Sequence, residues 1–146
     1  MIQIPFYETS GMVLSNFSAH RIEYEGVEYP TVEHAFHAQK FGEGSVKERI
    51  TRAGSTLVAW ELGRKYKPER RADWDDVKVG VLTELVRAKA TQHDEVANAL
   101  ILTGEEEIVE LNPDDSFWGT GPDGNGDNHM GKILMRIREE LIEKNA

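Results

Sequence analysis

Hydrophobic and polar positions alternate along the chain in short blocks, and each block ends at a glycine, a proline or a capping residue. IPFY (4–7) reads as a short strand, and HRIEYEGVEYP (20–30) reads as two β-rich arms around Gly26, a hairpin. Pro30 ends the second arm, and Thr31 can cap a helix over the following residues. SVKE, from Ser45, has the spacing of a capping box, with Gly54 closing that helix. A third helix is expected from about Thr56 to Arg64, with Gly63 near its end. Asp73 can cap a longer one that runs to about Thr91, and another covers roughly Asp94 to Leu102 and stops at Gly104. EEIVEL (106–111) has strand character, and a glycine-rich loop follows from Asn112 to Asn128. The last helix lines Met130, Ile133, Leu134, Ile137 and Leu141 along one face. The order of elements predicts a mainly α fold with small β elements (α+β), without the alternating βα units of a doubly wound sheet.

A chain of 146 residues suits a single domain, here 1–146. It contains no cysteine, which excludes a disulfide framework and a thiolate metal site. The first twenty residues carry no basic-then-apolar leader pattern and no apolar run approaches a membrane span, so a soluble cytoplasmic protein with no membrane partner is expected. The net charge of -9 argues against a nucleic-acid coat or a binder of anionic membranes. That average hides an asymmetry. Residues 40 to 89 hold twelve of the seventeen Lys/Arg against eight Asp/Glu, a local +4, whereas the rest of the chain carries -13. A cationic pocket for a small anion can therefore sit on an acidic protein; an ordinary solvated helical surface gives the same count.

Three stretches carry candidate chemistry. In TVEHAFHAQKF (31–41), Glu33, His37 and Lys40 fall at i, i+4 and i+7 and share one narrow helix face. Glu33 lies in the first turn, where the helix dipole favours a carboxylate; an ionised carboxylate suits a developing cation or an attacking water. The five histidines show no metal-ligand spacing, so no metal is expected. In the helix after Trp74, Lys78 and Lys89 are eleven residues apart and share nearly one azimuth within the stripe of Val77, Val81, Leu82, Leu85, Val86 and Ala88. Lysines there must snorkel, pair with a carboxylate or point into a pocket holding an anion. In SFWGTGPDGNGDNHMGK (116–132) Gly119, Gly121 and Gly124 fit the dinucleotide pattern but no strand–turn–helix unit surrounds them, and the P-loop and calcium-loop patterns each fail at a required position. Its glycines at 119, 121, 124, 126 and 131 can still let backbone amides approach a ligand, the last of them in the first turn of a helix; a surface loop is the plainer reading.

LSNF (14–17), YPTVEHAFHAQKF (29–41), LGR (62–64), R-x-D-W (71–74), K-x-x-V-L (78–82), AK-x-x-Q-H (88–93), L-x-x-TG (100–104) and D-x-FWG-x-G-x-DG-x-G-x-N-x-x-GK-x-L-M-x-x-R (115–138) occur in that order. With these motifs the chain resembles the NADAR/YbiA-like family over nearly its whole length. The resemblance implies a YbiA-like helical fold with a short hairpin. It also implies metal-independent, cofactor-free hydrolysis of N-glycosidic bonds in ribose-phosphate compounds. Members act on riboflavin-pathway intermediates in which an aminopyrimidine is joined to ribose 5-phosphate. Others bind or process ADP-ribose, including its removal from guanine in nucleic acid; for this chain an ADP-ribosyl-guanine hydrolase and a non-catalytic ADP-ribose or NAD binding module are the alternatives. By the same resemblance Glu33, Trp74 and Asp115 are the catalytic residues. Asn16, Phe17, Lys40, Lys78, Lys89, Trp118, Gly119, Asn128 and Lys132 fall on motif positions expected to bind substrate. The family usually carries glutamine where this chain has His37.

Overall fold

The computed structural model describes residues 3–7 and 12–145. The chain packs as two compact units, one of residues 19–89 and one of residues 1–18 with 90–146. The helix α4 (Trp74–Gln92) carries the chain out of the first and into the second. The secondary structure is mainly helical with two small two-stranded sheets, as the pattern of the sequence predicts.

In residues 19–89, β2 (Ile22–Tyr24) and β3 (Val27–Tyr29) form the expected antiparallel hairpin, with Ile22 opposite Tyr29 and Tyr24 opposite Val27. Glu25 and Gly26 between them both have positive φ, 51° and 80°. That is the twist a two-residue hairpin turn needs, and glycine in second place makes it cheap. Ile22 and Tyr29 are buried together at the hairpin's closed face. Thr31 then caps α1 (Val32–Ala38), its hydroxyl accepting from the His34 amide. Every residue of α1 is buried, including Glu33, His34 and His37. The core helix of this unit is thus also its most polar one.

His34 accounts for part of that polarity. Its Nε2 donates to the Ala53 carbonyl at 3.0 Å, and its Nδ1 accepts from the Thr31 hydroxyl at 2.8 Å. The ring is therefore neutral and structural, and burial pushes its pKa below the usual histidine value. α2 (Ser45–Thr51) differs from expectation at both ends. Ser45 is its first helical residue rather than its cap; Gly44, at φ 153°, holds the cap position without a side chain to contribute. With Ser45 inside the helix no capping box forms, and Glu48 pairs with Arg52 one turn on, at 3.1 Å. The helix ends at Thr51 with Arg52 as its cap, short of Gly54, and Ser55 caps α3 (Thr56–Lys65) through the Val58 amide. Both α2 and α3 pack on α1.

In the other unit, β1 (Gln3–Tyr7) pairs parallel with β4 (Glu107–Leu111). On this sheet lies α6 (His129–Lys144), and α5 (Asp94–Leu102) packs on α6. Met130, Ile133, Leu134 and Ile137 are buried as the helical period requires, while Leu141 at the far end is only half-buried. The close fit of α6 on β4 depends on two residues. Asn128 accepts from the Glu110 amide and donates to the Ile108 carbonyl, both at 2.9 Å, so its side chain stands in for a strand residue. Gly131, one turn later, leaves no room for a side chain. A Cβ there would fall on the Ile108 carbonyl oxygen and the Asn128 amide. Gly131→Ala is expected to destabilise the protein by roughly 3 kcal/mol or more, since the obstruction is backbone that must move. Urea unfolding of the variant beside wild type measures it.

Candidate active site

The buried polar face of α1 holds the first candidate group. Glu33 and His37 are each about one-twentieth exposed, and Glu33 Oε1 lies 2.7 Å from His37 Nε2. The helix spacing i, i+4 brings them together directly. One turn on, past the end of α1, Lys40 leaves the helix half-buried. Its ammonium lies over the Phe36 ring at 5.5 Å and the Trp74 ring at 5.8 Å, and these two rings meet at 5.1 Å. Trp74 is itself 2% exposed, so its indole is a wall of the lysine's chamber rather than an open stacking surface.

The electrostatics of Lys40 are unusual. Burial pushes its pKa down from 10.5 to about 8; Glu33 opposes the fall, and Arg70, Lys67 and Lys78 add to it. Four cations and one buried carboxylate therefore act on one another at this place. Lys67 belongs to a 3₁₀ turn (Lys67–Glu69), and Arg70 ends it. The Arg71 amide donates to the Lys40 carbonyl at 2.8 Å and holds the turn against the end of α1. Asp75 draws part of the charge outward: it pairs with Lys78 and Arg70 at 3.2 Å each, and Lys78 lowers its pKa foremost.

The two α4 lysines therefore differ, although they share an azimuth. Lys78 is half-buried and reaches Asp75, whereas Lys89, three turns further along, is 3% exposed in the face of Leu82, Leu85 and Val86. Asp73 occupies the position before α4, and its carboxylate takes the Arg71 guanidinium at 2.5 and 2.9 Å.

The remaining expected site residues lie in the other unit. Asp115 Oδ1 accepts from the amides of Phe117 and Trp118 at 2.9 and 2.8 Å and so shapes the FWG turn. Phe117, Trp118 and His129 form an aromatic cluster, with the Phe117 and His129 rings 4.4 Å apart. Asn16 Nδ2 contacts Met130 Sδ at 3.4 Å, and its Oδ1 is buried with no hydrogen-bond partner among the described residues. Phe17 is half-buried, with its amide on Ser15 Oγ, and Lys132 is exposed on α6.

The glycine-rich loop spends several of its amides on itself, Gly126 on Thr120, Asp127 on Ser116 and Asn128 on Gly119, and one on β4, Thr120 on Glu110. Its glycines allow that self-packing. A Cβ at Gly119 would come within 2.8 Å of the Glu110 carbonyl oxygen, and one at Gly126 within 2.5 Å of the Gly119 carbonyl oxygen. Packing, rather than a cradle of free amides, accounts for these two positions. Lys67 and Arg70 were not among the residues the sequence singled out, and Gly63 was read only as lying near the end of a helix and within the LGR motif. The cationic bias of residues 40–89 was the signal for the first two.

The sequence profile described as the NADAR domain matches residues 5–142, and the chain belongs to the NADAR family. It is 41% identical to the N-glycosidase YbiA of Escherichia coli (strain K12) over 144 residues, 97% of this chain and 90% of that protein. It is also 41% identical over 130 residues to a riboflavin biosynthesis protein of Vibrio vulnificus (strain YJ016), 89% of this chain and 35% of that longer one. The solution NMR structure of E. coli YbiA superposes with a TM-score of 0.89 at 38% identity, over 99% of this chain and 87% of that one.

Proposed function

We propose that this protein is an N-glycosidase that hydrolyses the ribose C1–N bond of a phosphoribosylated aminopyrimidine of the riboflavin pathway and releases ribose 5-phosphate. The observation that carries this reading is the buried Glu33 carboxylate beside a half-buried Lys40 ringed by Phe36, Trp74 and three further cations. Such a place suits a molecule with one end that develops positive charge and another that carries a phosphate. The names of the E. coli and Vibrio vulnificus relatives point to the same bond and the same pathway.

The chemistry follows from these residues. Breaking the C1–N bond leaves positive charge on the sugar. Glu33 stabilises that cation and takes a proton from the attacking water, whose hydroxyl goes to C1; that proton then passes, by way of solvent, to the departing amine and leaves Glu33 ionised again. Lys40, Lys78 and Arg70 receive the 5-phosphate, and Trp74 keeps water from the Lys40 ammonium.

A product assay tests the reading. Purified protein with chelator is incubated separately with the aminopyrimidine ribose 5-phosphate and with DNA carrying ADP-ribosylated guanine. Mass spectrometry follows release of ribose 5-phosphate and of ADP-ribose. Release of ribose 5-phosphate from the first, absent with Glu33→Gln, is the expected result. Release of ADP-ribose from the DNA instead moves the substrate to nucleic acid. No product from either, with a ligand-induced rise in melting temperature, makes the protein a binding module.

A further inference from the structure

The Glu33–His37 pair is closed on its far side. While His37 Nε2 faces Glu33 Oε1 at 2.7 Å, Nδ1 is buried with no hydrogen-bond partner among the described residues. What stands against Nδ1 is Gly63 of α3: a Cβ at that position would come within 2.6 Å of it. Phe36 meets the imidazole edge-on with centroids 5.7 Å apart, so the ring is held between two helices and an aromatic face. Gly63 lies in the last turns of α3, where its amide is spent in the helix ladder and offers Nδ1 nothing.

This geometry decides the tautomer. A proton on Nδ1 would be a buried donor facing Cα and hydrogen, with the full desolvation cost and no acceptor. A bare lone pair there costs less than an unsatisfied N–H, and the proton belongs on Nε2, where Glu33 accepts it. One carboxylate oxygen is thereby fixed and the other, Oε2, is left for the reaction. A carboxylate held by one charge-assisted hydrogen bond turns less about its terminal torsion than a free one.

We infer that His37 is a positioning residue for Glu33, kept in its Nε2–H form by the side-chain-free surface of α3 at Gly63. It donates to Oε1, aims Oε2, and does not itself touch the substrate. This rests on the role of Glu33 proposed above. It also assigns a task to Gly63, which no contact with substrate would explain. Any side chain at that position drives the ring off the carboxylate.

The test combines a spectrum with a kinetic panel. In the intact ¹⁵N-labelled protein without ligand, ring ¹H–¹⁵N correlations are expected to show His37 protonated at Nε2 and bare at Nδ1; a proton on Nδ1 overturns the proposal. With the aminopyrimidine ribose 5-phosphate, His37→Leu is expected to lose on the order of 100-fold in kcat with KM little changed, the usual scale for a misaimed group. His37→Gln, whose amide can donate to Glu33 from the same helix position, is expected to restore most of that loss. Gly63→Ala is expected to behave as His37→Leu; should it fail to fold, the two His37 variants and the spectrum still decide. Equal loss in His37→Gln and His37→Leu would mean that the ring acts on the substrate itself, and an unimpaired His37→Leu would mean that it does nothing; either sinks the inference. If Glu33→Gln keeps its turnover, the proposed function falls separately, because the spectrum needs no substrate.

Discussion

Glu33→Gln is expected to reduce turnover by about 10³-fold or more, the scale of losing a general base together with its charge on the developing cation. Folding and substrate binding should remain close to wild type. Glutamine keeps the shape of the side chain, and its carbonyl can still accept from His37 Nε2, now 2.7 Å from Glu33 Oε1. The His37 Nε2–H keeps its acceptor, so the larger cost of stranding a buried partner does not arise, and the new side-chain NH2 adds at most the cost of one unsatisfied group. A second effect accompanies the first. Glu33 opposes the burial that depresses Lys40, so removing its charge lowers the Lys40 pKa further below about 8. The variant should therefore lose affinity for the phosphate at a lower pH than wild type does. Single-turnover kinetics at the low end of a pH series, well below the wild-type value of about 8, with calorimetric binding alongside, separate the two effects. A Glu33→Gln enzyme that turns over normally, or one that fails to bind there, removes Glu33 from the role proposed.

Much of this arrangement is legible in the sequence because it is local. Gly26, Pro30 and Thr31 each punctuate the chain for a reason internal to a few residues, and hairpin and α1 fall where they indicate. The i, i+4, i+7 spacing of Glu33, His37 and Lys40 likewise needs only a helix. The box at Ser45 failed for a local reason, since Gly44 takes the cap position and Glu48 pairs with Arg52. The rest of what was not legible depends on residues distant in the chain. Lys67 and Arg70 join Lys40 through a 3₁₀ turn that no periodicity announces. The glycines of the 112–131 stretch read either as a ligand cradle or as a surface loop, and the packing of Gly119 on Glu110 and of Gly131 on Ile108 was visible in neither reading. A glycine signals close approach, and the sequence does not say to what.

The largest opposed effects are expected at Lys40. Moving a lysine from 10.5 to about 8 costs the folded protein about 3 kcal/mol at neutral pH, where both folded and unfolded chains must carry the charge. Lys40→Met keeps the aliphatic stem against Phe36 and Trp74 and removes the charge, so it should stabilise the free protein by up to about that amount. The pH dependence has a definite sign. Below about 8 the ammonium is present in both states and the penalty is complete; between about 8 and 10.5 the folded protein sheds the proton first, and wild type gains stability. Urea midpoints of wild type and variant should therefore converge as pH rises through that window. Function runs the other way. A phosphate beside Lys40 raises its pKa and repays the cost of burying it, so wild-type kcat/KM should fall as pH rises past about 8, as the free protein loses its cation. Lys40→Met should bind the ribose phosphate on the order of 100-fold more weakly, the loss of a desolvated charge-assisted contact. A variant both less stable and still able to bind would show that the buried ammonium serves the fold and not an anion. A variant more stable and unable to bind would mark Lys40 as a charge held out of water for its ligand.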